Sequence, residues 1–285
     1  MSEKLLELEN IYYTYPGGDK PALNGLNIYI TATKKIALLG QNGSGKSTLL
    51  FLADGLLKPQ HGQIRWASER LKYDRHSLNQ WRQKIGLAFQ DPEQQLVAGT
   101  VAEDIAYGLY TLKLSQVEIK QRLEQTLAEF GLQDLADQPL HHLSLGQKRR
   151  VALAGVMARQ PELLLLDEPT AYLDSVQTGN LLEELERIHA AGTTLVIATH
   201  DLNFAYQWAD WMCILHEGQL IMSGEAQNIF SQGNRLAELH LDVPILWEVW
   251  QVLVSRLSLP KTMPFPKTIR QLEDQLSDWN KPSQP

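Results

Sequence analysis

The stretch Gly40-Gln41-Asn42-Gly43-Ser44-Gly45-Lys46-Ser47 decides how the rest of the chain is read. It fits the spacing G-x-x-x-x-G-K-S, with an apolar run over 35–39 before it and a second over 47–57 after it. The first reads as a strand and the second as a helix, the context a phosphate-binding loop requires and a chance glycine turn lacks. Glycines let backbone amides turn inward around phosphate oxygens. Lys46 brings a positive charge to the β- and γ-phosphates, Ser47 offers a hydroxyl to Mg²⁺, and the helix points its positive end at the anion. Gly40, Asn42, Gly43, Ser44, Gly45, Lys46, Ser47 and Thr48 are therefore the expected phosphate-loop residues.

Downstream, Leu163-Leu164-Leu165-Leu166-Asp167-Glu168-Pro169 is an unbroken apolar strand ending in two adjacent carboxylates. Continuous rather than alternating apolar runs, here and over 194–198, suit parallel strands covered on both faces. Asp167 is expected to hold Mg²⁺ and Glu168 to polarise an attacking water as general base. Such a turn in isolation is commonly just solvated, and its place after a phosphate loop is what gives it meaning. Other strands are expected over 5–15, 26–30 and 85–89, with a turn at Pro59-Gln60-His61-Gly62, a helical stretch over 101–160 and a hairpin through Glu217-Gly218. Within the helical stretch, Ser115 followed by Glu118 makes a capping-box pattern.

Between the two halves of the site lies Leu143-Ser144-Leu145-Gly146-Gln147. It closely resembles the Leu-Ser-Gly-Gly-Gln signature of ABC transporter ATPases, with Leu145 in place of the first signature glycine. Its companions stand in that family's order. Tyr15 matches the aromatic that stacks on adenine, Gln90 the Q-loop glutamine, Leu173-Asp174 the D-loop, and His200 the switch histidine. The resemblance implies an α/β fold, a P-loop ABC ATPase with a RecA-like core, an antiparallel β subdomain and a helical signature subdomain at about 95–160. The ATP-binding domain would cover 1–233, with a small C-terminal helical extension over 234–285. It also implies ATP and Mg²⁺ as ligands. Lys46, Gln90, Glu168 and His200 would be catalytic, Ser47, Gln90 and Asp167 would face Mg²⁺, and Ser144, Gly146 and Gln147 would serve the nucleotide of a second subunit in trans. Tyr172 departs from the small residue usual in the D-loop and leaves open how closely two D-loops approach.

Three further stretches are similar to energy-coupling-factor ATPases of the cobalt/nickel type: Phe89-Gln90-Asp91-Pro92-Glu93-Gln94-Gln95-Leu96, the run from Thr100 to Gly108, and the signature continuing as Lys148-Arg149-Arg150-Val151. Val243-Pro244-Ile245 and Pro266-Lys267-Thr268-Ile269 are similar to the tail of that group. This implies a second ABC ATPase subunit in a homo- or heterodimer, a transmembrane coupling protein and a separate substrate-capturing membrane protein. It also implies a peripheral location on the cytoplasmic face of the cell membrane. Cobalt, nickel or a vitamin could be the cargo. No Cys/His cluster with metal-ligand spacing is seen, so a transported cation is not expected to touch this chain.

Composition narrows the classes. The 285 residues carry a net charge of -7, which argues against a nucleic-acid binder held by a basic surface. One cysteine, Cys213, allows no internal disulfide. No run approaches the ~18 apolar residues of a membrane span, and Met1-Ser2-Glu3-Lys4 opens no leader pattern. A soluble ABC protein working on ribosomes or in DNA repair is the alternative, but the fused units, long insertions and basic tails usual there are not seen. An exporter is disfavoured by the extended Q-loop and the tail. In that tail Leu246, Val249, Trp250, Leu253 and Leu257 form one apolar helical stripe, which covers either the chain's own core or a second subunit's tail. A second helix is expected from Thr268, with Ile269, Leu272 and Leu276 on one face.

Overall fold

A computed structural model describes residues 4–260 and 263–279. The opening residues Met1, Ser2 and Glu3 and the end of the expected 234–285 extension lie outside the described residues. Lys4–Tyr13 (β1) and Leu23–Thr31 (β2) form an antiparallel pair, and Lys35–Leu39 (β3) leads through the phosphate loop into Lys46–Asp54 (α1). His61–Trp66 (β4), Glu69–Arg70 (β5), Arg75–Lys84 (α2) and Ile85–Ala88 (β6) follow, then Val101–Leu109 (α3), Gln116–Glu129 (α4) and Leu145–Met157 (α5). The chain returns to the sheet with Leu163–Asp167 (β7), Ser175–Ala190 (α6), Thr194–Thr199 (β8), Leu202–Trp208 (α7), Trp211–His216 (β9) and Gln219–Gly224 (β10). It ends in Ala226–Phe230 (α8), Gly233–Glu238 (α9), Ile245–Leu257 (α10) and Ile269–Trp279 (α11).

The strands make a four-stranded sheet in the order β2-β1-β4-β5 and a six-stranded sheet in the order β10-β9-β3-β8-β7-β6. The larger sheet is parallel from β9 to β6, and β10 is its antiparallel edge. Alternate side chains of its central strands enter two different cores. Leu38, Leu165, Val196 and Cys213 join the cluster shared with the four-stranded sheet and α1, while Leu39, Leu166, Ile197 and Ile214 join the cluster under α5, α6 and α7. Both faces are thus apolar, which explains the unbroken runs of leucine, valine and isoleucine. Each fully buried large side chain contributes ~1.5–3 kcal/mol.

Several expectations shift in detail: the strand expected over 5–15 ends at Tyr13 and the helix expected over 47–57 ends at Asp54. The Pro59–Gly62 turn gives way at His61, where β4 begins. Gly62 is needed there: its φ is +92°, and a Cβ would fall 2.3 Å from the Asn10 carbonyl oxygen. The tail stripe divides. Leu246 and Trp250 are buried with Trp247 in the core under α7, Leu253 is partly buried against it, and Val249 and Leu257 stay exposed. Trp247 stacks on Phe265 at 4.3 Å between ring centroids, and the Tyr206 hydroxyl donates to the Pro266 carbonyl at 2.9 Å. Much of the stripe therefore covers the chain's own core.

Register places the site. In the parallel ladder Leu39 lies beside Thr199, and Asp167 beside Ala198. The C-terminal ends of β3, β7 and β8 come out together, and side chains just beyond them converge. Such an edge is where open parallel sheets hold ligands.

Candidate active site

The phosphate loop turns between β3 and α1. Gly40 has φ +151°, and a Cβ there would meet the Leu215 carbonyl oxygen at 2.3 Å; at Gly45, φ +104°, it would meet the Ala22 carbonyl oxygen at 2.6 Å. Only glycine fits either position. Lys46 is buried and donates to the Gly40 and Gln41 carbonyls at 2.7 and 3.3 Å, with its Nζ 3.8 Å from Glu168 Oε1. Burial holds the Lys46 ammonium below the ordinary lysine range, while Glu168 and Asp167 oppose that shift.

Asp167 ends β7, is buried, and its Oδ1 has no hydrogen-bond partner. Burial raises its carboxyl above the ordinary aspartate range, with the Ser47 hydroxyl pulling the other way. Glu168 is buried one residue on, at φ +43°, a left-handed conformation that a non-glycine residue holds only where its surroundings fix it. Its backbone N–H donates to Ala198, its Oε2 accepts from Thr199 Oγ1 at 3.1 Å, and its Oε1 lies 2.9 Å from His200 Nδ1. Thr199 is fully buried, and its hydroxyl also accepts from the Asp201 N–H.

Tyr15, Asn42, Gly43, Gly45, Lys46, Ser47, Thr48, Gln90, Asp167, Glu168, Tyr172 and His200 line one cleft of about 690 Å³. The Tyr15 hydroxyl and Thr48 Oγ1 are 3.2 Å apart, and the Tyr15 ring is held edge-on by Tyr13. Tyr15 lies past the end of β1, which frees its ring to face the cleft. Tyr172 is 80% exposed at φ +64°, so its ring stands in the cleft mouth and not in a packed turn.

Ser144, Gly146 and Gln147 line a different hollow, with Gln177 and Glu184. Ser144 caps α5: its hydroxyl accepts from the Gln147 N–H, and the Gln147 side chain accepts from the Ser144 N–H. None of these three residues lines the cleft that holds Lys46 and Glu168.

Two residues were not singled out from the sequence. Thr199 orients the carboxylate of Glu168; its signal was a hydroxyl closing a buried strand immediately before His200. Arg149 is buried and donates to the Gln90, Pro169 and Ala171 carbonyls; in the run Lys148-Arg149-Arg150 nothing marks it as the inward one.

The family model for the ABC transporter matches residues 23–171, and the chain belongs to the ABC transporter family as one of its ATP hydrolases. Within it, the chain sits in the energy-coupling-factor group, where relatives named EcfA and CbiO match along nearly its whole length. It is 54% identical over 278 residues, 98% of this chain and 97% of the other, to a Thermosynechococcus vestitus protein named only generally for ABC transporter ATP binding. It is 40% identical over 283 residues to the cobalt import ATP-binding protein CbiO of Rhodobacter capsulatus, covering 97% and 99% of the two chains. The solved structure of CbiO1 from Clostridium perfringens, described as part of the ABC transporter complex CbiONQ, superposes with a TM-score of 0.73 at 35% identity. That match covers 88% of this chain and 99% of the other.

Proposed function

We propose that this chain hydrolyses ATP to power import of cobalt or nickel ions through an energy-coupling-factor transporter, bound peripherally at the cytoplasmic face of the cell membrane. The observation that carries the ATPase part is the meeting of Lys46, Asp167, Glu168 and His200 in one cleft while Ser144, Gly146 and Gln147 lie in another. One chain thus offers two unlike halves of a site, which a second ATPase subunit placed head-to-tail would complete. The substrate part rests on the likeness to the cobalt import protein. Among the described residues no helix is long and apolar enough to cross a membrane, so transport needs membrane partners: a coupling protein and a substrate-capturing protein.

ATP is held by the loop amides from Gly40 to Gly45, by Lys46 and by the start of α1, with Tyr15 against the base. The residues fit Mg²⁺. Asp167 presents a buried, unpartnered carboxylate oxygen beside Ser47 and Gln90, and Mg²⁺ held with substrate phosphates takes only one or two protein oxygens. When bound, Mg²⁺ neutralises charge on the β- and γ-phosphates. Glu168 takes the proton of the attacking water. Thr199 and His200 hold its two oxygens so that one faces the cleft, and His200 is exposed enough to reach the γ-phosphate as well. Lys46 Nζ, held by the Gly40 and Gln41 carbonyls and 3.8 Å from Glu168 Oε1, is the positive charge that phosphates in the cleft meet.

The experiment is reconstitution of the chain with its membrane partners in vesicles, followed by ATP-dependent uptake of labelled Co²⁺, Ni²⁺ and biotin. Uptake of a metal ion that stops with Lys46→Ala supports the reading. Uptake of biotin alone moves the substrate to the vitamin class, and ATP turnover with no uptake of any solute favours a non-transport ABC ATPase.

A further inference from the structure

Arg149 lies in the second turn of α5, and its guanidinium is almost wholly enclosed. Nη1 donates to the carbonyls of Pro169 and Ala171, each at 2.8 Å, and Nη2 donates to the carbonyl of Gln90 at 3.1 Å. Taking a guanidinium out of water is costly unless its donors are met; here backbone oxygens meet Nη1 and Nη2, while the buried Nε has no partner. Asp91 is the carboxylate that opposes the burial effect on its charge. The three carbonyls come from two loops that lie apart in sequence, 59 residues from Arg149 for Gln90 and 20 and 22 residues for Pro169 and Ala171. Gln90 follows β6; Pro169 and Ala171 form the turn immediately after Glu168.

That second loop needs a clamp. Glu168 holds φ +43°, and such a conformation persists only where neighbouring structure over-determines it. Pro169 is bonded to Glu168, and the Ala171 N–H donates back to the Glu168 carbonyl, so fixing the Pro169 and Ala171 carbonyls fixes the backbone that carries the carboxylate. A planar fork can hold both loops at once, which a point-like ammonium cannot.

We infer that Arg149 is a positioning residue for hydrolysis, locking the turn after Glu168 to the loop carrying Gln90 so that movement of one loop is passed to the carboxylate in the other. The inference rests on the role of Glu168 given under Proposed function. It makes α5, which is capped by Ser144, a brace between the two loops.

The test uses the full chain with Arg149→Lys and Arg149→Met, each made also in a Glu168→Gln background. Thermal unfolding and calorimetric ATP binding accompany steady-state turnover. Arg149→Lys keeps the charge and loses the fork, and misplacing a catalytic group by about 1 Å costs on the order of 10²-fold. The expected result is kcat lowered roughly 10- to 100-fold with ATP affinity and KM within about threefold of wild type. In the Glu168→Gln background the same substitution should change residual turnover by less than about twofold, because the effect runs through the carboxylate. Raised KM with unchanged kcat would overturn the inference, as would equal fold losses in both backgrounds or full turnover in Arg149→Lys. If Arg149→Met does not fold, Arg149→Lys decides. If Glu168→Gln itself keeps wild-type turnover, the assignment of the base fails and this inference fails with it. A dead Glu168→Gln beside a fully active Arg149→Lys removes this inference alone.

Discussion

Replacing Trp250 by alanine tests whether the C-terminal helices belong to the ATPase core. Trp250 is 1% exposed on α10 and meets Phe265 edge-on, while Trp247 beside it packs against Tyr206 and Phe230. The cluster is held from both sides, because Tyr206 belongs to α7 and Phe230 to α8. A tryptophan-to-alanine change in such a site removes the transfer energy of the ring and leaves a cavity, for a loss of about 3–5 kcal/mol. At roughly 2–4 °C per kcal/mol for a domain of this size class, the melting temperature should fall by roughly 6–20 °C. The assay is scanning calorimetry on nucleotide-free protein, with urea unfolding alongside. Val249→Ala, on the exposed face of the same helix, is the control and should stay within about 0.5 kcal/mol of wild type. A loss below about 1 kcal/mol for Trp250→Ala, or equal losses for the two variants, would refute the placement. A weaker dimer with unchanged subunit stability would assign the ring to a partner instead. Removing everything after Gly233 should for the same reason destabilise the chain, and not merely loosen its assembly. The extension also touches the phosphate loop, since Gln41 Nε2 donates to the His240 carbonyl at 3.2 Å.

Other consequences follow from the site and its surroundings. Thr199→Val keeps the shape and removes the hydroxyl that donates to Glu168 Oε2; a hydrogen bond to a charged group contributes about 1.5–3 kcal/mol, so turnover should fall ~10- to 100-fold while ATP affinity by calorimetry holds. Asp54, at the end of α1, is raised by burial to about 7, with Arg82 and Arg159 opposing. A carboxyl raised in the folded state stabilises below its unfolded value and loses that contribution as pH rises through the folded one. Asp54→Asn should therefore gain on wild type by roughly 2–3 kcal/mol between about pH 5 and about pH 8 in urea unfolding; a difference that does not change with pH would contradict this. Mixing Ser144→Arg subunits with Lys46→Ala subunits should leave one intact composite site per mixed dimer, seen as nucleotide binding at half stoichiometry, whereas self-contained sites would give no site free of damage.

Legibility in the sequence followed locality. The phosphate loop, the Asp167-Glu168 pair and His200 were readable because each is a short run whose chemistry is tied to the strand that carries it. The signature Ser144 was readable both as a helix cap and as a family motif, and it proves to be the first of these in geometry. Beyond the turn at Pro59–Gly62, the sequence over 63–84 marks no element. Its strands β4 and β5 are short, and α2 buries little besides Trp81, so no apolar stripe announces a helix. Thr199 and Arg149 were missed for another reason. Their roles are set by atoms far away in sequence, and neither a threonine nor one arginine among three basic residues carries a pattern. The tail stripe was visible as a stripe, but which neighbour covers it depends on Tyr206, Phe230 and Phe265, which only the folded chain brings together.

The central claim is that Glu168 takes the proton from water in a site that Lys46 and the glycine loop make for ATP. The most direct measurement is single-turnover hydrolysis by Glu168→Gln at saturating ATP and Mg²⁺, with bound nucleotide identified after rapid separation. Losing a positioned general base costs ~10²- to 10⁴-fold. The account predicts turnover lowered by that factor with intact ATP held between two subunits. Turnover near that of wild type, with ADP recovered from the protein, would contradict it.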